Sequence, residues 1–144
     1  MNRFKIRSIY ILFIFFSING QCQTKQLIKY KGIYQTQSMI ENRDSTIYYH
    51  YLRFYDNLKV ISVSSIGDVN DVKEWFNIGM TDPSIGEFKI NGRKIFFSLT
   101  SSYGTVIYRG RIKKNGCLIL KTKSLINGHK GKQLYFFKEV AGLK

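Results

Sequence analysis

The side chains that most often carry out chemistry are few in this sequence and far apart. Its two histidines, His50 and His129, have no further histidine, cysteine or carboxylate at the spacing of metal ligands, so we expect no metal site. Cys117 has no histidine partner at a recognisable spacing. The motifs of serine nucleophiles, phosphate-binding loops and dinucleotide sites do not occur either. The sequence therefore predicts neither nucleophilic catalysis nor a bound cofactor.

One local cluster of carboxylates has the residue types of an acid–base pair. Asp68, Asp71 and Glu74 lie at the start of segment 68–77, whose apolar residues have helical spacing. Acidic side chains in the first turn of a helix accept hydrogen bonds from its free N–H groups and complement its dipole. We therefore predict a short helix with Asp68 as its N-cap. Because capping accounts for these carboxylates, we also predict that the protein is not an enzyme.

Basic residues are concentrated in the second half of the chain. Segment 88–138 holds twelve lysines and arginines and no acid, whereas segment 21–87 is nearly balanced. Such a surface attracts anionic partners such as lipid headgroups or acidic glycans, although it also occurs as an ordinary solvated face. The residues expected to form an anionic-partner patch on the outer surface are Arg109, Arg111, Lys113, Lys121 and Lys123.

Aromatic residues are interleaved with His50 and Arg53 between Tyr48 and Tyr55, a pattern that also occurs where bases of nucleic acids stack. Alternation along a strand places Leu52 and Phe54 on one face, which favours core packing. An export signal at the N-terminus further argues against nucleic acid as the partner.

Turn signals recur at nearly regular spacing through the second half, at Asn91-Gly92, Tyr103-Gly104, Asn115-Gly116 and Asn127-Gly128. Apolar residues alternate between them, which is typical of consecutive antiparallel hairpins. The predicted strands are 86–90, 93–101, 104–113, 117–125 and 132–140, preceded by 32–36, 47–55 and 59–64. Eight sequential strands are most economically a closed up-and-down barrel, so the fold class expected for a domain at 28–140 is all-β, with one short helix as a lid.

The turns also predict which residues lie opposite one another. A two-residue turn at Asn91-Gly92 places Phe88 opposite Ile95. The next two turns place Phe97 opposite Tyr108, and Tyr108 opposite Thr122. The last strand is expected to place Tyr135 beside Thr122, so that one apolar face runs through the whole meander.

Gly32-Ile33-Tyr34, together with the meander of residues 86–140, resembles the lipocalin-like, or calycin, group. In that group the first strand carries a Gly-x-aromatic motif, in which Tyr34 here replaces the more usual tryptophan. The resemblance implies a small barrel that binds an apolar ligand or supports an envelope function.

Two functions follow as expectations. In the first, a small hydrophobic ligand binds among the inward-facing rings of Tyr34, Phe54, Phe88, Phe97, Tyr108 and Tyr135. Trp75 and Phe76 are expected to close one end of this site. Because an eight-stranded barrel is only just wide enough for one small ligand, the same rings could instead fill it. In the second, the core is filled and the outer basic face binds an anionic surface or partner in the cell envelope.

The N-terminus has the order of a secretory signal peptide. Arg3, Lys5 and Arg7 precede an apolar run at 9–16, which is too short to span a bilayer and is followed by the small residue Gly20. We expect residues 1–20 to be removed, residues 21–27 to be a flexible start, and the product to be periplasmic or extracellular. The alternative is an outer-membrane lipoprotein anchored at Cys22.

Export predicts a definite N-terminus for material isolated from the native host. Mass analysis is expected to find Gln21 as the first residue. A diacylated Cys22 would establish the lipoprotein alternative, and a retained Met1 would contradict both.

Overall fold

Strands make up most of the residues that the computed structural model describes, which are 27–40, 45–80 and 83–143. The predicted signal peptide and Cys22 lie outside these residues. The strands are β1 (Gly32–Thr36), β2 (Met39–Ile40), β3 (Ile47–Phe54), β4 (Lys59–Ser65), β5 (Ser84–Asn91), β6 (Lys94–Ser101), β7 (Gly104–Ile112), β8 (Leu118–Ser124) and β9 (Lys130–Glu139).

The sheet closes on itself. From β3 to β9 each strand pairs antiparallel with the next, and β1 pairs with both β9 and β3. Both β1 and β2 pair with β3, and the first strand has one more residue between these pairings than β3 has, so β1 and β2 are two halves of one bulged strand. The result is the predicted eight-stranded antiparallel barrel with one short helix.

Two of the predicted hairpin registers are confirmed. Phe97 lies opposite Tyr108, and Tyr108 lies opposite Thr122. In both hairpins a glycine with positive φ, Gly104 or Gly116, lies at the turn and fixes its length.

The other two predicted registers are wrong. Phe88 lies opposite Phe97 rather than Ile95, because Gly92, with a φ of 57°, is the first central residue of the turn and Asn91 pairs with Lys94. Tyr135 lies opposite Leu118 rather than Thr122, because a tight loop at 125–129 lets β9 begin at Lys130. Both shifts are even numbers of residues, so each side chain keeps the face that was predicted for it.

Two glycines permit the strong coiling that barrel closure needs. A Cβ atom at Gly86 would lie 1.8 Å from the carbonyl oxygen of Ser98, and one at Gly110 would lie 1.9 Å from that of Ile119. No side chain fits there, so at these positions the neighbouring backbone comes closer than any other residue would allow.

The segment before β1 closes one end of the barrel, which we call the base. Ile28 is buried in the interior core, and the backbone N–H of Lys29 donates to the hydroxyl of Tyr34 at 3.0 Å. The ammonium group of Lys29 also lies 4.8 Å from the centre of the Phe137 ring. The base is therefore covered by the chain itself.

The prediction that the helical region forms a lid is wrong. The helical region lies on the outside of the barrel wall and does not cross an end. It consists of α1 (Val69–Val72) and a 3₁₀-helix (Lys73–Trp75), and Asp68 is the N-cap as predicted. Val72 and Phe76 pack against Ile33, Tyr51 and Ile61, which face outward from β1, β3 and β4.

Polar contacts fix the end of this helical region. The side chains of Arg53 and Tyr55 both donate to the carbonyl oxygen of Phe76, at 2.8 and 2.6 Å. The outer surface of β1, β3 and β4 is therefore a second, smaller core.

The inward and outward assignment of β6 can be tested with two adjacent residues. Phe97 is fully buried, and Phe96 is 41% exposed on the outer face. We expect Phe97→Ala to lower the free energy of unfolding by about 3–5 kcal/mol, because it removes a buried ring. Phe96→Ala is expected to cost about 1 kcal/mol or less. Equal losses in urea denaturation would contradict the assignment.

Candidate functional site

Six of the predicted ligand-binding residues lie together in the interior core near the base: Tyr34, Phe54, Phe88, Phe97, Tyr108 and Tyr135. The ring of Phe54 makes edge-to-face contacts with three of the others, at centroid distances of 5.1–5.6 Å. Phe97 and Tyr108 are stacked at 4.6 Å. These rings occupy the base half by packing on one another, which favours the filled reading of this half.

The structure does not bring Trp75 and Phe76 to these six residues. Phe76 belongs to the separate outer core beneath the helical region, and Trp75 is 47% exposed. The helical spacing of segment 68–77 correctly predicts a helical region that includes Trp75 and leads into Phe76. It does not indicate whether that region covers an end of the barrel or the outside of its wall.

A layer of tyrosine hydroxyls separates the packed rings from the other half of the barrel. The hydroxyl of Tyr135 donates to Oε1 of Gln133 at 2.9 Å. The hydroxyl of Tyr108, on β7, interacts with the side chain of Ser62 on β4, which lies three strands away and therefore across the interior. Burial raises the pKa of both tyrosines, so both hydroxyls stay protonated.

Beyond this layer many of the inward-facing side chains are small or polar. They continue the alternation of the core residues on the same strands, and we call them the polar mouth: Thr36, His50, Ser62, Ser64, Thr122 and Gln133. Ser64 is exposed, and most of the others are half-buried. An inward-facing side chain of a closed barrel reaches solvent only near an end, so these residues lie close to the end opposite the base.

His50 is the ionisable group of the polar mouth. Its Nδ1 lies 2.5 Å from Oγ of Ser64, a hydrogen-bond distance, and Tyr48 packs edge-on against its ring at 5.4 Å. At the bulge between β1 and β2 its backbone N–H donates to Oγ1 of Thr36 at 3.0 Å. Burial lowers the pKa of His50 to about 4, so the imidazole is neutral at neutral pH.

The alternation of segment 47–55 predicts a strand that contains His50, but it does not predict the contact of His50 with Ser64. The position of His50 two residues before Leu52 already placed it on the inner face. The contact with Ser64, however, depends on the register between β3 and β4, which no turn signal fixed.

The basic residues lie on the outside of the barrel, on the wall opposite the one that the helical region covers. Arg109 is opposite Lys121, as the predicted pairing of Tyr108 with Thr122 implies, and Lys132 follows opposite Lys121 on the next strand. Arg111, Lys113 and Lys123 are exposed as well. The structure thus brings the predicted patch together on β7 and β8, and the register extends it onto β9.

Comparison with known protein families finds no match for this sequence, and comparison with well-characterised proteins finds none either. Within the described ranges, no three histidine, cysteine or carboxylate side chains are grouped so that they could hold a metal ion. The helices seen in that part of the chain are too short or too polar to cross a membrane.

The lowered pKa of His50 predicts how stability depends on pH. Because the ordinary pKa of about 6.5 applies in the unfolded chain, protonation below that pH favours unfolding until the folded pKa near 4 is reached. The free energy of unfolding is therefore expected to fall by up to about 3 kcal/mol from this group between about pH 7 and pH 4.

His50→Gln is expected to remove this component, as measured by urea denaturation at both pH values. His129→Gln changes an exposed loop residue and should keep the wild-type dependence. If the two variants lose the same stability on acidification, the assignment to His50 is wrong.

Proposed function

We propose that this protein is an exported, non-enzymatic barrel that binds one small ligand in the polar mouth. The observation that carries the proposal is the change of lining within a single interior. Packed rings occupy the base half, whereas small and polar side chains in contact with solvent line the mouth. A folded domain gains stability by filling its interior with apolar groups, so a partly exposed polar end above a packed core favours a binding site there.

The lining indicates the chemistry of the ligand. His50 is neutral, and the other members of the polar mouth carry no charge, so a neutral ligand avoids leaving an unpaired charge in a half-buried site. Leu99 and Val106 lie on the inner face near the ring of Tyr108 and provide an apolar floor. A small molecule with an apolar end and a neutral hydroxyl, carbonyl or amide group fits these features.

The contact between His50 and Ser64 is assigned to ligand recognition rather than to nucleophilic attack. A catalytic serine needs its histidine to be oriented by a third group, and it needs donors aimed at the developing oxyanion. Among the described residues, the hydrogen bond to Ser64 is the one found for the His50 ring. Because burial keeps the imidazole neutral, one ring nitrogen can donate and the other can accept.

A variant that fills the mouth tests the proposal. The probe is a panel of small neutral aromatic alcohols and amides, measured by thermal unfolding. Binding at about 100 times the dissociation constant adds about 2.7 kcal/mol, which raises the melting temperature by several degrees. Thr122→Trp is expected to abolish the shift, because its indole would occupy the mouth.

Lys123→Trp is the matched control, one residue along β8 but on the outer face, and it should keep the shift. Ser64→Trp at the rim replaces Thr122→Trp if that variant does not fold. A panel that leaves the wild type unchanged, or shifts the mouth-filling variants equally, would overturn the proposal.

A further inference from the structure

The registers of β5 to β9 align four cations in a row around the outer wall, with Phe96 between the first and the second. Lys89 lies opposite Phe96, Phe96 opposite Arg109, Arg109 opposite Lys121, and Lys121 opposite Lys132. Neighbouring strands are about 4.8 Å apart, so the row is close-set. The row runs around half of the eight-stranded barrel, so we define the basic face by its part on β6 to β9: Lys94, Arg109, Arg111, Lys121, Lys123, Lys130 and Lys132.

No acid within the basic face offsets these charges. The whole segment 88–138 has no acidic residue. Glu87, at the margin, pairs with Lys59 at 2.6 Å and also interacts electrostatically with Lys89 on its own strand. Like charges directly opposite one another in a sheet are mildly destabilising, so an anionic partner would relieve a repulsion that the folded protein otherwise keeps.

Apolar side chains are interspersed with the cations. Phe96 and Leu134 are 41% and 37% exposed, and the guanidinium of Arg109 lies over the Phe96 ring at 5.3 Å. At the base end of β8 and β9 a surface depression of about 310 Å³ is lined by Ile119, Leu134 and Phe136, with Lys113 and Lys132 at its edge.

We infer that the basic face binds the surface of an anionic lipid bilayer. Lysines and arginines meet the headgroup phosphates while their aliphatic stems cover apolar surface. The exposed rings and the apolar depression gain by entering the boundary between headgroups and acyl chains. A fully hydrated polyanion would use the cations but would leave these apolar groups without a partner, and this difference favours the bilayer.

The proposed orientation leaves the polar mouth accessible. The basic face is a side wall of the barrel, whereas the mouth is an end, and the helical region covers the opposite wall over β1, β3 and β4. Membrane binding is therefore independent of the ligand site, and either function can fail without the other.

Vesicles of equimolar phosphatidylglycerol and phosphatidylcholine provide the test, in a sedimentation assay with the wild-type protein. Binding is expected at low salt and should weaken as the screening length falls from about 30 Å to about 8 Å at physiological ionic strength. Arg109→Glu with Lys121→Glu should weaken it at least about 30-fold, since each cation near an anionic bilayer contributes about fivefold.

Lys31→Glu with Lys73→Glu is the matched control, because it makes the same change of net charge on the other side of the barrel. It should leave vesicle binding nearly unchanged. If the first pair of reversals disturbs folding, as judged by circular dichroism, Arg109→Gln with Lys121→Gln replaces it. Equal binding by the wild type and the folded basic-face variant would overturn the inference, as would no binding by the wild type at low salt.

A second pair of substitutions separates a bilayer from a polyanion. Phe96→Ser with Leu134→Ser should reduce vesicle binding at physiological salt while leaving retention on immobilised dextran sulfate unchanged. Unchanged vesicle binding by this variant would mean that charge alone acts, which would assign the face to a polyanion and overturn the bilayer.

Discussion

Closure of the sheet is the constraint on which the rest of this structure depends. Because β1 pairs with both β9 and β3, no strand of the barrel keeps a free edge, and every strand has one face inside and one outside. The short radius of an eight-stranded barrel then decides what the inside can hold. The close backbone approaches at Gly86 and Gly110 belong to the same requirement. Whether a described strand side chain lies inside or outside the barrel follows from this division.

Inside the closed barrel, the same strands line two different environments, which are the packed base half and the polar mouth. The edge-to-face packing around Phe54 excludes water from the base half, while the layer of Tyr108 and Tyr135 hydroxyls gives the packed rings a polar upper boundary. His50 lies beyond that boundary and is still desolvated enough to remain neutral. Outside, one wall carries the second core beneath the helical region and the opposite wall carries the cations. Interior and surface thus provide separate binding chemistries on one scaffold.

Much of this arrangement could be predicted because alternation and turn chemistry are local. Gly104 and Gly116 fix the lengths of their turns, so the hairpins around Tyr108 were correct to the residue. Gly92 and the loop at 125–129 allow more than one register, and there the faces were correct while the partners were not. The side of the wall that the helix would cover was missed, although Tyr51 and Ile61 provided a signal: apolar residues on the outer face need a cover. The packing of rings against one another, and the meeting of His50 with Ser64, depend on distances that alternation does not encode.

The pairing of β1 with β9 joins opposite ends of the described chain, and this has a consequence for how the molecule folds. The hairpins from β5 to β9 bring together residues that are close in sequence, whereas the final seam must overcome the entropy of closing nearly the whole domain into a loop. Until the seam forms, β9 is an open edge that could pair with another copy of the chain. Lys130, Lys132 and Lys138 point outward along that edge, and lysines on an edge strand oppose pairing between chains. The same charges that repel one another in the finished wall therefore act earlier as protection against aggregation while the barrel is still open.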